Sequence, residues 1–212
     1  MTSYKKTVVG LVATVFVLSL LLAGCGGAKQ EAKPSVQYPT KPIQVIVPAG
    51  AGGDTDTNAR IMGKYLEKEL GKPVVIVNSG GAGGTAGTRK VAKESTADGY
   101  TVMFYHPGFP LHKINGLTDF SYDDVEVANV ALLDDTNVFA VNAKSKYKTM
   151  KDVIEQSKAN PKSVKFATEV GNFTHIHVLA VEEKAGIKLN VVDVGGAAAK
   201  TAALMGNQID II

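Results

Sequence analysis

The run Ile43-Gln44-Val45-Ile46-Val47-Pro48-Ala49-Gly50-Ala51-Gly52-Gly53-Asp54-Thr55-Asp56 decides the fold. Its first five residues are mostly apolar and β-branched, the pattern of a strand covered on both faces. The glycines that follow open a loop, and Asp54 and Thr55 are both placed to cap a helix. Ala59, Met62, Leu66 and Leu70 then recur at spacings of three and four, giving that helix one apolar stripe that stops at Gly71. A buried strand feeding a glycine loop feeding a helix amino terminus brings free backbone N–H groups and the positive end of a helix dipole to one spot, which suits an anion. The plainer reading, glycine serving only a tight turn, applies equally well to any single loop of this kind.

Working outward, the same grammar returns. Residues 74–77 read as a strand, Gly80-Gly81-Ala82-Gly83-Gly84 as a second glycine loop and 85–93 as a helix. Asp98-Gly99 makes a turn into a strand at 100–105. Strand, helix, strand, helix, strand implies a parallel sheet with covering helices. Beyond it, 127–133 and 137–142 read as strands that leave the first sheet. A helix over Met150–Ala159 is broken by Asn160-Pro161, and a strand at 164–167 leads through a loop to a helix at 175–184. A strand at 189–194, a third glycine loop at Gly195-Gly196, a helix over Ala197–Met205 and the start of a strand at 209–212 complete the chain, whose apolar end looks truncated. Three such loops favour a site at the carboxyl ends of the strands.

The chain has 212 residues, 45% of them hydrophobic and 20% charged, with a mean hydropathy of +0.05. This excludes a disordered chain and a multi-span membrane protein. Glycine is in excess at 22 residues, without a triplet period, so it belongs in loops where the backbone approaches something closely. A net charge of +3 is too small to argue for nucleic acid.

Residues 1–24 read as an address. Lys5 and Lys6 precede an uncharged stretch that ends Leu22-Ala23-Gly24-Cys25. The small residues before the cysteine look like a bacterial lipoprotein signal, in which Cys25 becomes the acylated first residue; the alternative is a plain amino-terminal anchor helix. Removing residues 1–24 leaves 188 residues and takes away two lysines and no acids, so the net charge falls from +3 to +1. Residues 25–37 are small, polar and proline-containing, a flexible tether.

Enzyme chemistry finds little support. Gly81, Gly83 and Ala86 fit G-x-G-x-x-A, but the next strand ends Phe104-Tyr105-His106, without the acid a dinucleotide ribose needs. No glycine loop carries the Lys-Ser/Thr of a P-loop, and no G-x-S-x-G elbow occurs. His175 and His177 lie two apart on a helix and point in different directions. No catalytic residue, cofactor or metal is expected.

The order of motifs resembles the solute-binding receptors of tripartite tricarboxylate transporters, also called Bug-type receptors. The resemblance runs through Tyr38-Pro39-Thr40-Lys41-Pro42-Ile43, Gly52-Gly53-Asp54-Thr55-Asp56, Gly71-Lys72-Pro73-Val74-Val75, Gly81-Ala82-Gly83-Gly84 and Ala97-Asp98-Gly99-Tyr100-Thr101. It continues in Ala131-Leu132-Leu133, Ala159-Asn160-Pro161, Gly171 with Thr174-His175, and Gly206-Asn207-Gln208-Ile209-Asp210. It implies an α/β fold of the type II periplasmic-binding-protein kind, two lobes with mainly parallel sheets and a hinge. Lobe one would span 38–115 and lobe two 116–212, with the return segment that completes lobe one in relatives missing. It also implies a non-enzymatic receptor, held to the cell membrane through acylated Cys25, that passes a small carboxylate or related solute to membrane transporter subunits. A sensory role toward a signalling partner would share every feature, and an exported enzyme on the same fold is the remoter alternative.

Carried over by position, the ligand-binding residues are Gly52, Gly53, Asp54, Thr55, Asp56, Gly81, Gly83, Gly84 and Thr85 from lobe one. Thr168, Gly171, Asn172, Thr174, His175 and Gly196 would come from lobe two. Ala49 stands where relatives often have an aromatic, Glu169 where a small polar residue is usual, and Asp193-Val194-Gly195 where a Pro-Tyr-Lys-like run is usual. These departures favour an amino acid, a monocarboxylate or a neutral solute over a di- or tricarboxylate, unless Glu169 and Asp193 simply face outward.

Overall fold

Two parallel sheets organise the chain, each delivering its loops from the carboxyl ends of its strands. The computed structural model describes residues 37–132 and 137–212. The address segment, Cys25 and nearly all of the tether lie outside the described residues. In the first sheet β1 (Ile43–Val47) is central, flanked by β2 (Val74–Asn78) and β3 (Thr101–Met103), in the order β2-β1-β3. Val45 pairs with Ile76 on one side and Val102 on the other. The second sheet pairs β4 (Lys165–Thr168) with β5 (Asn190–Asp193), Ala167 facing Val192.

The crossovers are helical. In the first sheet they are α1 (Asp54–Leu70) and α2 (Thr85–Ala92), entered through a 3₁₀ turn at Ala82–Gly84, and α3 (Gly108–Ile114) follows β3. The second half has α4 (Met150–Ala159), α5 (Phe173–Ala185) and α6 (Ala197–Met205). Gly71 and Gly186 end α1 and α5 in the left-handed conformation. Among the described residues no helix is long and apolar enough to cross a membrane.

Core composition follows the pleat. Phe166 and Ala167 point to opposite faces of β4. Phe166 joins Tyr147, Val153, Val164, Val178, Ile187, Leu189 and Ile211, while Ala167 joins Ala203, Leu204 and Ile209 beneath α6. In the first sheet Val45 and Val47 pack on Ala59 of α1. The interior of α1 is Thr55, Asp56, Ala59 and Gly63. The expected apolar stripe therefore holds only in part, and Leu66 is exposed.

Three expectations need correction, and one helix was not expected. Gly53 is the N-cap of α1, so Asp54 is the first helical residue instead of the cap, and no side chain caps this helix. Residues 127–132 and 137–142 form no strand: Val127, Val130, Leu132, Val138 and Phe139 are exposed, and only Val141 makes a single antiparallel bridge, to Ile211. An apolar run becomes a strand only where a neighbour accepts its backbone hydrogen bonds, and among the described residues these runs find no ladder partner beyond that bridge. The expected strand at 209–212 is likewise reduced to bridges of Ile211 with Val141 and Phe166. α3, finally, was hidden by Pro110, which sits in the helix's first turn, where its missing N–H costs nothing.

Candidate functional site

The loops after β1, β2 and β3 meet the loops after β4 and β5. The loop after β1 is held from within. Asp56, almost wholly buried, accepts from the Gly52 backbone N–H (2.8 Å), from Asn78 Nδ2 (2.9 Å) and from Arg60 Nε (3.1 Å), and pairs with the Arg60 guanidinium at 3.0 Å. Burial pushes its carboxyl up, but the hydrogen bonds from Arg60, Gly52 and Asn78 outweigh it and hold it below the ordinary value. Asp56 therefore faces the fold and shapes the loop. Its neighbour Asp54 is exposed at the start of α1, and Thr55 is buried.

The loop after β2 is held from outside. The Gly83 carbonyl accepts from His112 Nε2 (2.8 Å), from the Tyr105 hydroxyl (3.1 Å) and from Asn172 Nδ2 (3.4 Å). Since a carbonyl only accepts, Nε2 carries the proton of His112. His112 is fully buried, and its Nδ1 meets no hydrogen-bond partner. Burial lowers its basicity, against the upward pull of the Gly83 bond and of Glu169. Gly84 has φ +95°, and a Cβ there would overlap the Tyr105 hydroxyl and stand 2.7 Å from the Pro48 carbonyl oxygen. Only glycine fits. Thr85 Oγ1 donates to Ala82 O at 3.0 Å, and Gly81 caps the 3₁₀ turn.

From the other side, Asn172 caps α5, its Oδ1 accepting from Phe173 N at 2.6 Å, while its Nδ2 also donates to Glu169 Oε2 at 2.9 Å. Thr168 is fully buried and shares a hydrogen bond with Thr174 (2.8 Å). His175 Nδ1 accepts from Gly171 N at 3.3 Å. Gly196 caps α6 with extended backbone. The Asp193 carboxylate accepts from Val170 N (3.3 Å) and Gly195 N (3.1 Å), tying the two loops of the second sheet together. Where α1 and α6 face each other, a Cβ on Gly53 would lie 3.7 Å from Ala197 Cβ.

The structure thus brings Gly53 against Ala197, next to Gly196, and Gly83 against Asn172, so that the amino-terminal ends of α1 and α6, and of α2 and α5, meet in pairs. Sequence reasoning missed four residues here. Tyr105 and His106 end the third strand's loop, and the rule that put the first two loops at the site applied to this one too. His112 is carried by α3, and Lys200 lies one turn into α6. Burial is the main reason the His106 imidazole is pushed down to about 4, with Asp54 pulling upward and His112 and Lys200 adding repulsion. Burial also depresses the Lys200 ammonium, against the pull of Glu169 and Asp54. The Tyr105 hydroxyl is raised, first by burial and then by Glu169, with the Asn172 bond opposing. At neutral pH His106 and Tyr105 are therefore neutral polar groups where these loops meet. Among the described residues no group of three His, Cys, Asp or Glu could hold a metal.

Two parallel sheets whose carboxyl-end loops meet, with the likeness to solved periplasmic binding proteins, place the fold in the periplasmic-binding-protein class. The chain belongs to the tripartite tricarboxylate transporter receptor family, whose model matches residues 58–212. It is 34% identical to the protein BugT of Bordetella pertussis over 176 residues, 81% of this chain and 54% of that one. The solved periplasmic binding protein BugD superposes with a TM-score of 0.66 at 26% identity, covering 82% of this chain and 58% of that one. MatC from Rhodopseudomonas palustris, solved with bound malate, gives a TM-score of 0.70 at 25% identity, covering 82% and 60%. The chain thus spans somewhat over half the length of these relatives.

Proposed function

We propose that this chain is part of a lipid-anchored, extracytoplasmic solute-binding protein that captures a small carboxylate or related solute. It delivers that solute to a tripartite tricarboxylate-type membrane transporter. The carrying observation is the meeting of loops from two parallel sheets, Asn172 of one reaching Gly83 of the other at 3.4 Å, with helix amino termini around the gap. The first N–H groups of a helix lack intrahelical acceptors, so these ends offer donors and a positive potential to a carboxylate without a dedicated cation for each oxygen. The bound malate of MatC supports a carboxylate ligand, and the periplasmic setting of BugD supports export. On this reading residues 38–115 and 116–212 are the two lobes, Gly52, Gly53, Asp54, Gly81, Gly83, Gly84 and Thr85 belong to one jaw, and Gly171, Asn172, Thr174, His175 and Gly196 to the other, with buried Thr55, Asp56 and Thr168 supporting them from within.

Mass spectrometry of small molecules released from the purified protein tests the capture; a carboxylate in stoichiometric amount is the expected result, and its absence after native purification counts against it. The anchor is tested separately. Cys25→Ser should leave the protein in the aqueous phase of a detergent partition, and continued partitioning into detergent would overturn the lipoprotein reading.

A further inference from the structure

Three formal charges face one another where the loops meet: Asp54 at the start of α1, Glu169 after β4 and Lys200 on α6. Lys200 interacts electrostatically with both carboxylates. Yet none of the three belongs to an ion pair within 4.0 Å among the described residues. The placement is fixed by backbone. Ala197, one turn before Lys200, lies against Gly53, the residue before Asp54. Glu169 is tied by its 2.9 Å bond to Asn172, whose amide also reaches the Gly83 carbonyl.

Lys200 is half-buried and, among the described residues, joins no ion pair, so its ammonium is open to an arriving carboxylate. The surroundings then set a second condition. One cation stands against two carboxylates, while His106 and Tyr105 bring no charge. A dicarboxylate would bring a second negative charge near Glu169 and Asp54, with Lys200 the one cation among these three side chains. A solute with an amino group next to its carboxylate adds none, and its ammonium finds an acceptor in Glu169.

Resting on the reading of the chain as a solute receptor, we propose that Lys200 takes the ligand's carboxylate. Glu169 selects a solute that also carries an amino group over the same skeleton without one. Lys200 and Glu169 are thus the specificity-determining residues, reading opposite charges of one small zwitterion.

The test is calorimetry with three matched pairs, alanine and propionate, aspartate and succinate, glutamate and glutarate, on the wild type, Glu169→Gln and Lys200→Met. Gln keeps an acceptor for Asn172, and Met keeps the apolar stem, so both changes spare the packing. In the pair that binds, the amino member should bind at least tenfold tighter to the wild type. Glu169→Gln should cut that preference at least tenfold, and Lys200→Met should weaken both members alike by at least tenfold. Wild-type preference for the deaminated member, or an unchanged preference in Glu169→Gln, overturns the inference and leaves the receptor reading standing. If none of the six compounds gives heat, the molecule released from wild-type protein decides. One with both amino and carboxylate groups supports the inference, one without nitrogen overturns it alone, and no released molecule overturns it together with the receptor reading.

Discussion

The two glycine loops of the first sheet look alike in sequence and are secured by opposite means. The loop after β1 is gripped by a buried acid that takes its N–H: Asp56 accepts from Gly52. The loop after β2 is gripped at its carbonyl by donors: His112, Tyr105 and Asn172 converge on Gly83. Their glycines differ accordingly. Gly53 has an ordinary φ of −82°, and a Cβ there would meet its nearest neighbours at 3.6 Å and 3.7 Å, normal contact distances. Gly84 has both a left-handed backbone and no room. A glycine-rich string in a sequence therefore does not say which glycine is required; the packing of the following helix does.

The contrast can be broken most violently at Gly84. Gly84→Ala combines a left-handed backbone with overlap against Tyr105 and Pro48, and should cost roughly 3–5 kcal/mol of stability. Urea unfolding checks this, and a loss under 1 kcal/mol would show that the loop relaxes freely.

A middle-sized effect is expected at the acid. Asp56→Asn keeps the shape but removes the charge, and should cost about 1–3 kcal/mol at pH 7. Because the folded carboxyl is held below its ordinary value of 3.8, its stabilisation is present above that pH and lost as the pH falls through the lower, folded value. The gap between variant and wild type should therefore narrow below about pH 3.8 in urea melts recorded across pH. A gap that stays constant down to pH 3 would mean the Asp56 charge is not what holds the loop.

The smallest effect sharpens the comparison from the permissive side. Gly53→Ala should change stability by less than about 1 kcal/mol, because neither φ nor space forbids it. Thermal melts of Gly53→Ala and Gly84→Ala side by side should differ by many degrees, and equal shifts would erase the distinction drawn between the loops.

Much of this architecture was legible. β1 and the helices Met150–Ala159 and Ala197–Met205 fall on the residues expected, and α2 ends one residue short of its expected end, because strand, glycine loop and periodic helix reinforce one another locally. What escaped depends on partners distant in sequence. Val127 and Val138 read as strand residues, but whether a run pairs depends on a neighbour that periodicity does not name. Asp56 was expected to bind ligand and instead anchors the loop from within; Arg60 is its neighbour one turn along the same helix, but Asn78 reaches it only once β2 has packed beside α1. Lys200 carried no motif at all; a lysine in a helix's first turn ordinarily reads as solvated surface, and only the arrival of α6 opposite α1 brings it to the cleft.

The amide of Asn172 lies within 3.4 Å of three acceptors, the Gly83 carbonyl, the Tyr105 oxygen and the Glu169 carboxylate, while its own oxygen stays on the helix cap. Were the two loops to part, the nitrogen would lose two distant partners and keep the nearest one, on its own side. Neither the cap nor the donor would be stranded without a partner. The stronger bond that separation would break is that from Asn115 Nδ2 to the Gly171 carbonyl, at 2.8 Å, so opening is resisted more by Asn115 than by Asn172.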